Sequence, residues 1–429
     1  MNARRTASFS LRPGAVALGL LGILVLFSGD CSLGAADEPP LEWVEPATGH
    51  KVIRLSREPG TASLYFHQNA YSADGRKLLV TSPGGLSTIH LQTREIALVV
   101  TGRVGVLVTG HKTGQIYYTR GESIYATDLD TRATREVAKI PGGAARGNIT
   151  VNADETLIVG ISADPDGKTV PRTPPPGGRE ARLESRWAAG TPMMLYVVNI
   201  KTSEVKVIHR ENDWTNHLQC SPTDPDLILF CHEGPWHYVD RIWTIRANGS
   251  GLQLMHKRTM EMEIAGHEFF SNDGRILWYD LQTPKSGVFW LAGVELATGG
   301  RTWYRVERNE WSVHFNASPD GTLFAGDGGG PNSVASHSPN GERLDPPGNG
   351  QWIYLFRPVL VKNPASVFPE QQGLIRTGYF KSERLVDLSK HNYNLEPNVT
   401  FTPDMKWIVF RSNMHGATHV YAVEVSKSN

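Results

Sequence analysis

One turn motif recurs along this chain and constrains its fold more than any other feature. A short apolar stretch leads into Ser/Thr-x-Asp-Gly or a relative, and four or five β-prone residues follow. The copies are Ser72-Ala73-Asp74-Gly75, Asn152-Ala153-Asp154-Glu155, Ser221-Pro222-Thr223-Asp224, Ser271-Asn272-Asp273-Gly274, Ser318-Pro319-Asp320-Gly321 and Thr402-Pro403-Asp404-Met405. Each reads as a polar hairpin turn in which Asp or Gly supplies the special backbone angles. A further strand pair follows each turn, as in 115–119 with 123–128, and Lys112-Thr113-Gly114 opens a degenerate seventh copy. Seven units of about four strands predict an all-β chain folded as a seven-bladed β-propeller. Residues 51–55, left over before the first unit, are the expected closing strand beside the last blade.

Charge and cysteine content exclude several classes. The 43 Lys+Arg balance 43 Asp+Glu, whereas a nucleic-acid binder would carry a basic excess. Three cysteines are too few for a disulfide scaffold or a cysteine-based zinc cluster. The turn after Cys220 would pair it with residues near Leu227, so Cys220 and Cys231 read as small buried hydrophobes without a bond between them. Arg4, Arg5 and Arg12 precede the apolar run 15–27, which exits through Gly34-Ala35-Ala36. That order reads as a secretory signal over 1–36, with one propeller domain over 37–429 and a periplasmic or extracellular location. The run is shorter than the ~20 residues of a spanning helix, so no membrane span is expected in the mature chain. Two Gly/Pro-rich stretches interrupt the repeats. The stretch 165–190 is either a solvated insertion or a lid over the active face, and 325–351 is a second insertion.

Four residues before the opening residue of each turn stand Gln68, Asn148, His217, His267, His314 and Asn398. All six are polar and three are histidines, in a chain with only 15 His among 429 residues. Equivalent positions on successive blades lie at one height around the axis, so these side chains converge on one channel mouth or cleft. They either cap neighbouring blades, as polar groups in a channel do, or build a site. Near this register lie Cys231-His232-Glu233-Gly234-Pro235-Trp236 and Val239-Asp240-Arg241-Ile242-Trp243. Glu396-Pro397-Asn398 adds a carboxylate and an amide two residues apart, a spacing that shares one face of an extended strand. No Gly-x-Ser-x-Gly elbow or phosphate loop is present.

At these residues the chain resembles the oligogalacturonate lyase family of seven-bladed propeller polysaccharide lyases. The resemblance is carried by Ser221-Pro222-Thr223-Asp224-Pro225, Cys231-His232-Glu233-Gly234-Pro235, Val239-Asp240-Arg241-Ile242-Trp243, Gly266-His267-Glu268-Phe269-Phe270 and Phe401-Thr402-Pro403-Asp404. It runs over about 54–425. It implies β-elimination on a uronate, with His267 as the base at carbon 5 and Arg241 helping to neutralise the substrate. It further implies a manganese-type ion held by three histidines and a glutamine, the first matching His314. The family's His-Pro-His pair falls on Glu396-Pro397-Asn398 and its glutamine on Tyr393. A retained ion would therefore use His314, Glu396 and Asn398, helped by His391, an oxygen-rich set suited to Mn²⁺ or Ca²⁺. In the other reading the ion is gone.

The chemistry asks for such residues. The proton beside a carboxylate is weakly acidic, and its removal builds a second negative charge. A cation or Arg clamp stabilises that charge, and a neutral His, with a pKa near ~6.5, suits the base. His217, His232, Glu233, Trp236 and Gln68 are the expected sugar-binding residues, with His232 or Glu233 available to protonate the leaving group. The expectation is thus an exported lyase cleaving uronate-containing, pectic-type oligosaccharides. The competing expectation is a noncatalytic propeller that binds acidic sugars or a protein partner. Zero net charge argues against long-range capture of a polyanion, not against a short acidic sugar met by local cations.

Overall fold

Five of the six repeat turns share one backbone geometry. Their fourth residues, Gly75, Glu155, Gly274, Gly321 and Met405, all have φ between 57° and 70°. In four of them the opening hydroxyl donates to the turn aspartate, from Ser72, Ser271 and Ser318 at 2.6 Å and from Thr402 at 2.7 Å. Glycine takes this left-handed conformation without strain, but a Cβ there costs about 1–2 kcal/mol. Glu155 offsets that cost through its carboxylate, which accepts the Thr113 N–H at 2.7 Å and the Tyr117 hydroxyl at 3.2 Å.

The computed structural model describes residues 38–105, 107–143, 148–176, 181–348, 350–362 and 373–427. The 1–36 signal reading lies outside them. Within the described residues the strands group into seven antiparallel blades, at 62–101, 107–139, 148–211, 214–254, 264–306, 315–387 and 400–424, numbered I to VII. The strand Lys51–Arg54 pairs with His419–Glu424, so the N-terminal segment completes blade VII as the sequence predicts. Glu42–Val44 adds a fifth strand to that blade.

Hydrogen bonds close the circle at every junction. Thr109 N–H reaches Asn69 O between blades I and II, Thr113 reaches Glu155 between II and III, and Asn148 reaches Asn216 between III and IV. Gln219 bonds Glu268 O, Asn272 bonds Ala317 O, Phe401 N–H bonds Asn316, and Phe66 N–H bonds Asn398. Apolar wedges fill the spaces between blades. Leu79, Ile89 and Val409 join VII to I, and Val159, Leu195, Phe230 and Ile245 join III to IV. Burying each such side chain contributes about 1.5–3 kcal/mol.

One pairing has no counterpart in the repeat pattern. Arg301–Val306, the outer strand of blade V, runs parallel to Ile375–Asp387 of blade VI and fuses the two into an eight-stranded sheet. Cys220 pairs opposite Ile228, while Cys231 lies opposite Asn216, and both thiols are free as expected.

Both insertions fall between the second and third strands of their blades, as does the loop 234–241 of blade IV. The 165–190 insertion carries the helix α1 (Ala181–Ala188). Its described residues are largely exposed, and a few of them anchor it. Arg172 pairs with Asp213 at 2.7 Å, Arg186 covers the Trp214 ring at 3.7 Å, and Trp187 meets Tyr238 edge-on at 5.3 Å.

Candidate active site

The inner strands of blades IV and V are interrupted where the histidines sit. Pairing skips from Asn216 to Gln219 and from Gly266 to Phe269. Within the two bulges His217 has φ 47° and His267 has φ 48°. A bulge re-aims the side chain it carries, and here both imidazoles enter one cluster. The His267 ring centroid lies 4.8 Å from His314 and 5.9 Å from His217. Phe66 packs 4.7 Å from His314, and Tyr65 5.1 Å from it on another side. His67 closes the group at 5.6 Å from His217. Tyr65, His67, Gln68, Asn148 and His217 line a cavity of about 400 Å³. A larger cavity of about 550 Å³ is lined by the repeat turns and shares His67 and Gln68 with the first.

Burial lowers the pKa of His267 well below its usual value, and His314, His217 and Arg241 lower it further. The ring is held neutral, so its lone pair is free to accept a proton.

Arg241 is almost fully buried and locked. Its Nε donates to Glu268 at 2.9 Å and its Nη1 to Glu233 at 3.0 Å. His217 Nδ1 lies 3.3 Å from both Arg241 Nη2 and Glu268 Oε1. Burial pushes the Glu268 carboxyl up, but Arg241 and then His217 outweigh it and hold the group far below the carboxylate range. The guanidinium therefore works against two carboxylates, which leaves its remaining N–H groups, more than its net charge, for a substrate.

Glu233 departs from its expected role at the sugar. It is buried, its carboxylate held between Arg241 and the Trp236 indole N–H at 3.1 Å. It therefore orients those two residues. His232 is likewise committed, with Nε2 3.0 Å from Glu211. Gln68 and Asn148 cap neighbours: Gln68 Oε1 accepts the Tyr65 N–H at 3.2 Å, and Asn148 donates to Asn216 at 2.6 Å.

The four expected metal donors do not all converge. His314 is fully buried, with Nδ1 2.7 Å from Asp327 Oδ2. Its Nε2 accepts the Tyr65 hydroxyl at 3.2 Å and lies 3.8 Å from Glu396 Oε2. Asn398 is withdrawn because its φ is 55°, not extended, which breaks the shared face assumed for Glu396 and Asn398. Its Oδ1 accepts the Phe66 N–H at 3.0 Å and its Nδ2 donates to Glu396 O at 3.0 Å. His391 is withdrawn too, bonded to Ser412 Oγ at 2.9 Å and Leu395 O at 2.6 Å. Tyr393, in the family's glutamine position, sends its hydroxyl to the Asp327 and Gly350 carbonyls. What remains still fits a divalent ion. An imidazole whose far nitrogen is held by the Asp327 carboxylate turns Nε2 toward a half-exposed carboxylate, and an ion there would displace the Tyr65 hydroxyl from that nitrogen.

Tyr65, His67 and Asp327 escaped the sequence reading. Tyr65 and His67 closely precede the register position Gln68, so neighbours of a register were as informative as the register itself. Asp327 stands among Gly326, Gly328, Gly329 and Gly330, where an isolated acid in a glycine run was the available signal. A Cβ at Gly328 would strike the Gly350 carbonyl, so that run lets two backbones close around Asp327.

A family model described as oligogalacturonate lyase matches residues 42–429. An oligogalacturonate lyase of Dickeya dadantii is 24% identical over 90% of this chain and 95% of its own length. An oligogalacturonide lyase of Pectobacterium atrosepticum is also 24% identical, over the same shares. A solved oligogalacturonate lyase in complex with manganese shares the fold, with a TM-score of 0.69 and 23% identity over 90% of this chain and 96% of that one. With nearly the whole propeller matched, the chain belongs to the oligogalacturonate lyase family.

Proposed function

We propose that this protein cleaves short pectic oligosaccharides by β-elimination, with His267 as the base and Arg241 binding the uronate carboxylate. The carrying observation is His267 itself: a neutral imidazole held by a bulge, 4.8 Å from His314. Family membership supports a carbon–oxygen lyase, and the zero net charge suits an oligosaccharide better than a long polyanion.

His267 takes the carbon 5 proton, the carbon 5 electron pair forms the carbon 4–carbon 5 double bond, and the bond from carbon 4 to oxygen breaks with its pair on the leaving oxygen, which takes a proton from water; an unsaturated uronate is left at the new non-reducing end. Arg241, positioned by Glu233 and Glu268, meets the carboxylate through its free N–H groups. His314 and Glu396 would hold a divalent ion, manganese by the precedent of the solved relative. Bound there, such an ion supplies positive charge that stabilises the second charge developing on the carboxylate. Phe66 packs edge-on against the His267 ring at 6.2 Å. The 1–36 segment supports export to the periplasm or beyond. Among the described residues no helix is long and apolar enough to cross a membrane.

The test is ultraviolet absorbance of unsaturated uronate on digalacturonate and trigalacturonate with Mn²⁺ supplied. Wild type should raise it and His267→Ala should lose at least 10²-fold in rate. Binding of these sugars without turnover by wild type would sink the assignment.

A further inference from the structure

Away from the ring, two imidazoles from neighbouring blades converge on one carboxylate oxygen. His209 Nε2 and His232 Nε2 each lie 3.0 Å from Glu211 Oε2. His209 and Glu211 belong to Val205–Glu211, the outer strand of blade III, and His232 to Leu227–Glu233, the second strand of blade IV. The second oxygen of Glu211 accepts the Thr215 hydroxyl at 2.6 Å, which fixes the carboxylate plane. An oxygen of Asp213 falls within 4.8 Å of the Glu211 and His232 donor atoms, and Arg172 pairs with that aspartate. Both rings are braced: Phe230 lies 6.4 Å from His209 and 5.8 Å from His232, and Trp243 lies 5.0 Å from His232.

The charges are set for a cation. Arg172 offsets Asp213. The Glu211 carboxylate is left as the negative group facing the two imidazoles. The side chains of His209, Glu211 and His232 are 21%, 11% and 13% exposed, half-buried yet open to an entering ion.

We propose that His209, Glu211 and His232 bind a zinc-type transition-metal dication at the junction of blades III and IV. Two imidazoles and one carboxylate form the three-ligand set of open zinc sites, with a fourth position for water or Asp213. The Nε2 atoms of His209 and His232 each stand 3.0 Å from the Glu211 oxygen, near the roughly 3.3 Å between ligand atoms that lie about 2.0–2.2 Å from a tetrahedral ion. Thr215 orients the carboxylate from behind. The ion would pin the outer strand of blade III to blade IV, beneath the insertion anchored through Arg172 and Asp213. It is separate from His314 and Glu396, which lie on and beside blades VI and VII.

Equilibrium dialysis of the purified protein against Zn²⁺, and the visible spectrum with Co²⁺, test this site. Wild type should bind Zn²⁺ and give the intense absorption of tetrahedral cobalt. Glu211→Gln and His209→Ala should each weaken Zn²⁺ binding at least tenfold and abolish that spectrum, whereas His314→Ala should retain both. Circular dichroism checks folding. If Glu211→Gln fails to fold, His209→Ala carries the comparison, since it removes one half-buried ring. Wild type without a tetrahedral cobalt spectrum would overturn the proposal, as would Zn²⁺ binding indifferent to both substitutions.

Discussion

His314 Nδ1 lies 2.7 Å from Asp327 Oδ2, and both side chains are fully buried. The carboxylate fixes the tautomer with Nδ1 protonated and leaves the Nε2 lone pair beside Glu396. Asp327→Asn removes that bias while keeping the shape. Mn²⁺ affinity should fall 10–100-fold, as read by isothermal titration. Unchanged affinity would take His314 out of the metal site.

Asn398 holds the ring's geometry without touching an ion. Its Oδ1 is the acceptor of the Phe66 N–H, and Phe66 packs on both His314 and His267. Asn398→Ala leaves that buried donor unpaired at a left-handed position. Urea denaturation should show a loss of about 1–3 kcal/mol. A neutral outcome would mean that blades VII and I are not joined through this amide.

His67 makes the fold acid-sensitive. Burial, reinforced by His217, lowers its pKa to about 3. Between pH 6.5 and 3 the unfolded chain therefore binds one proton at this residue that the folded chain refuses. Stability falls as pH drops through that window, by about 1.4 kcal/mol per unit for this group. His67→Gln should flatten the slope of unfolding free energy against pH by about one proton. An unchanged slope would show that His67 titrates normally.

His267, lowered in the same direction, must be neutral to act as the base. The acid limb of kcat/KM on oligogalacturonides should accordingly lie below pH 6.5 in the wild-type protein. In Arg241→Lys the limb should remain there, because burial is the largest cause of the shift, while KM rises. A limb above pH 7 would mean that another group accepts the proton.

The turn repeats, the closing strand and the six-position register were all legible in the sequence, because each rests on local chemistry. Asp and Gly make the turns, alternation makes the strands, and a repeated spacing places His217, His267 and His314 at one height. The partners of those residues were not legible. Glu233 and Glu268 clamp Arg241, and Asp327 holds His314 across a glycine-lined contact. Such contacts join residues whose spacing carries no period. Glu396 and Asn398 show the limit most clearly. Two residues apart, they share a face only if the chain is extended, and a left-handed φ at Asn398 turned a metal ligand into a structural cap. The sequence by itself determined the propeller and the height of its polar ring. Which members of that ring remain free for chemistry, and which are spent on holding others, was decided by the tertiary structure. A buried polar atom must be paired, and only the closed ring of blades determines with what.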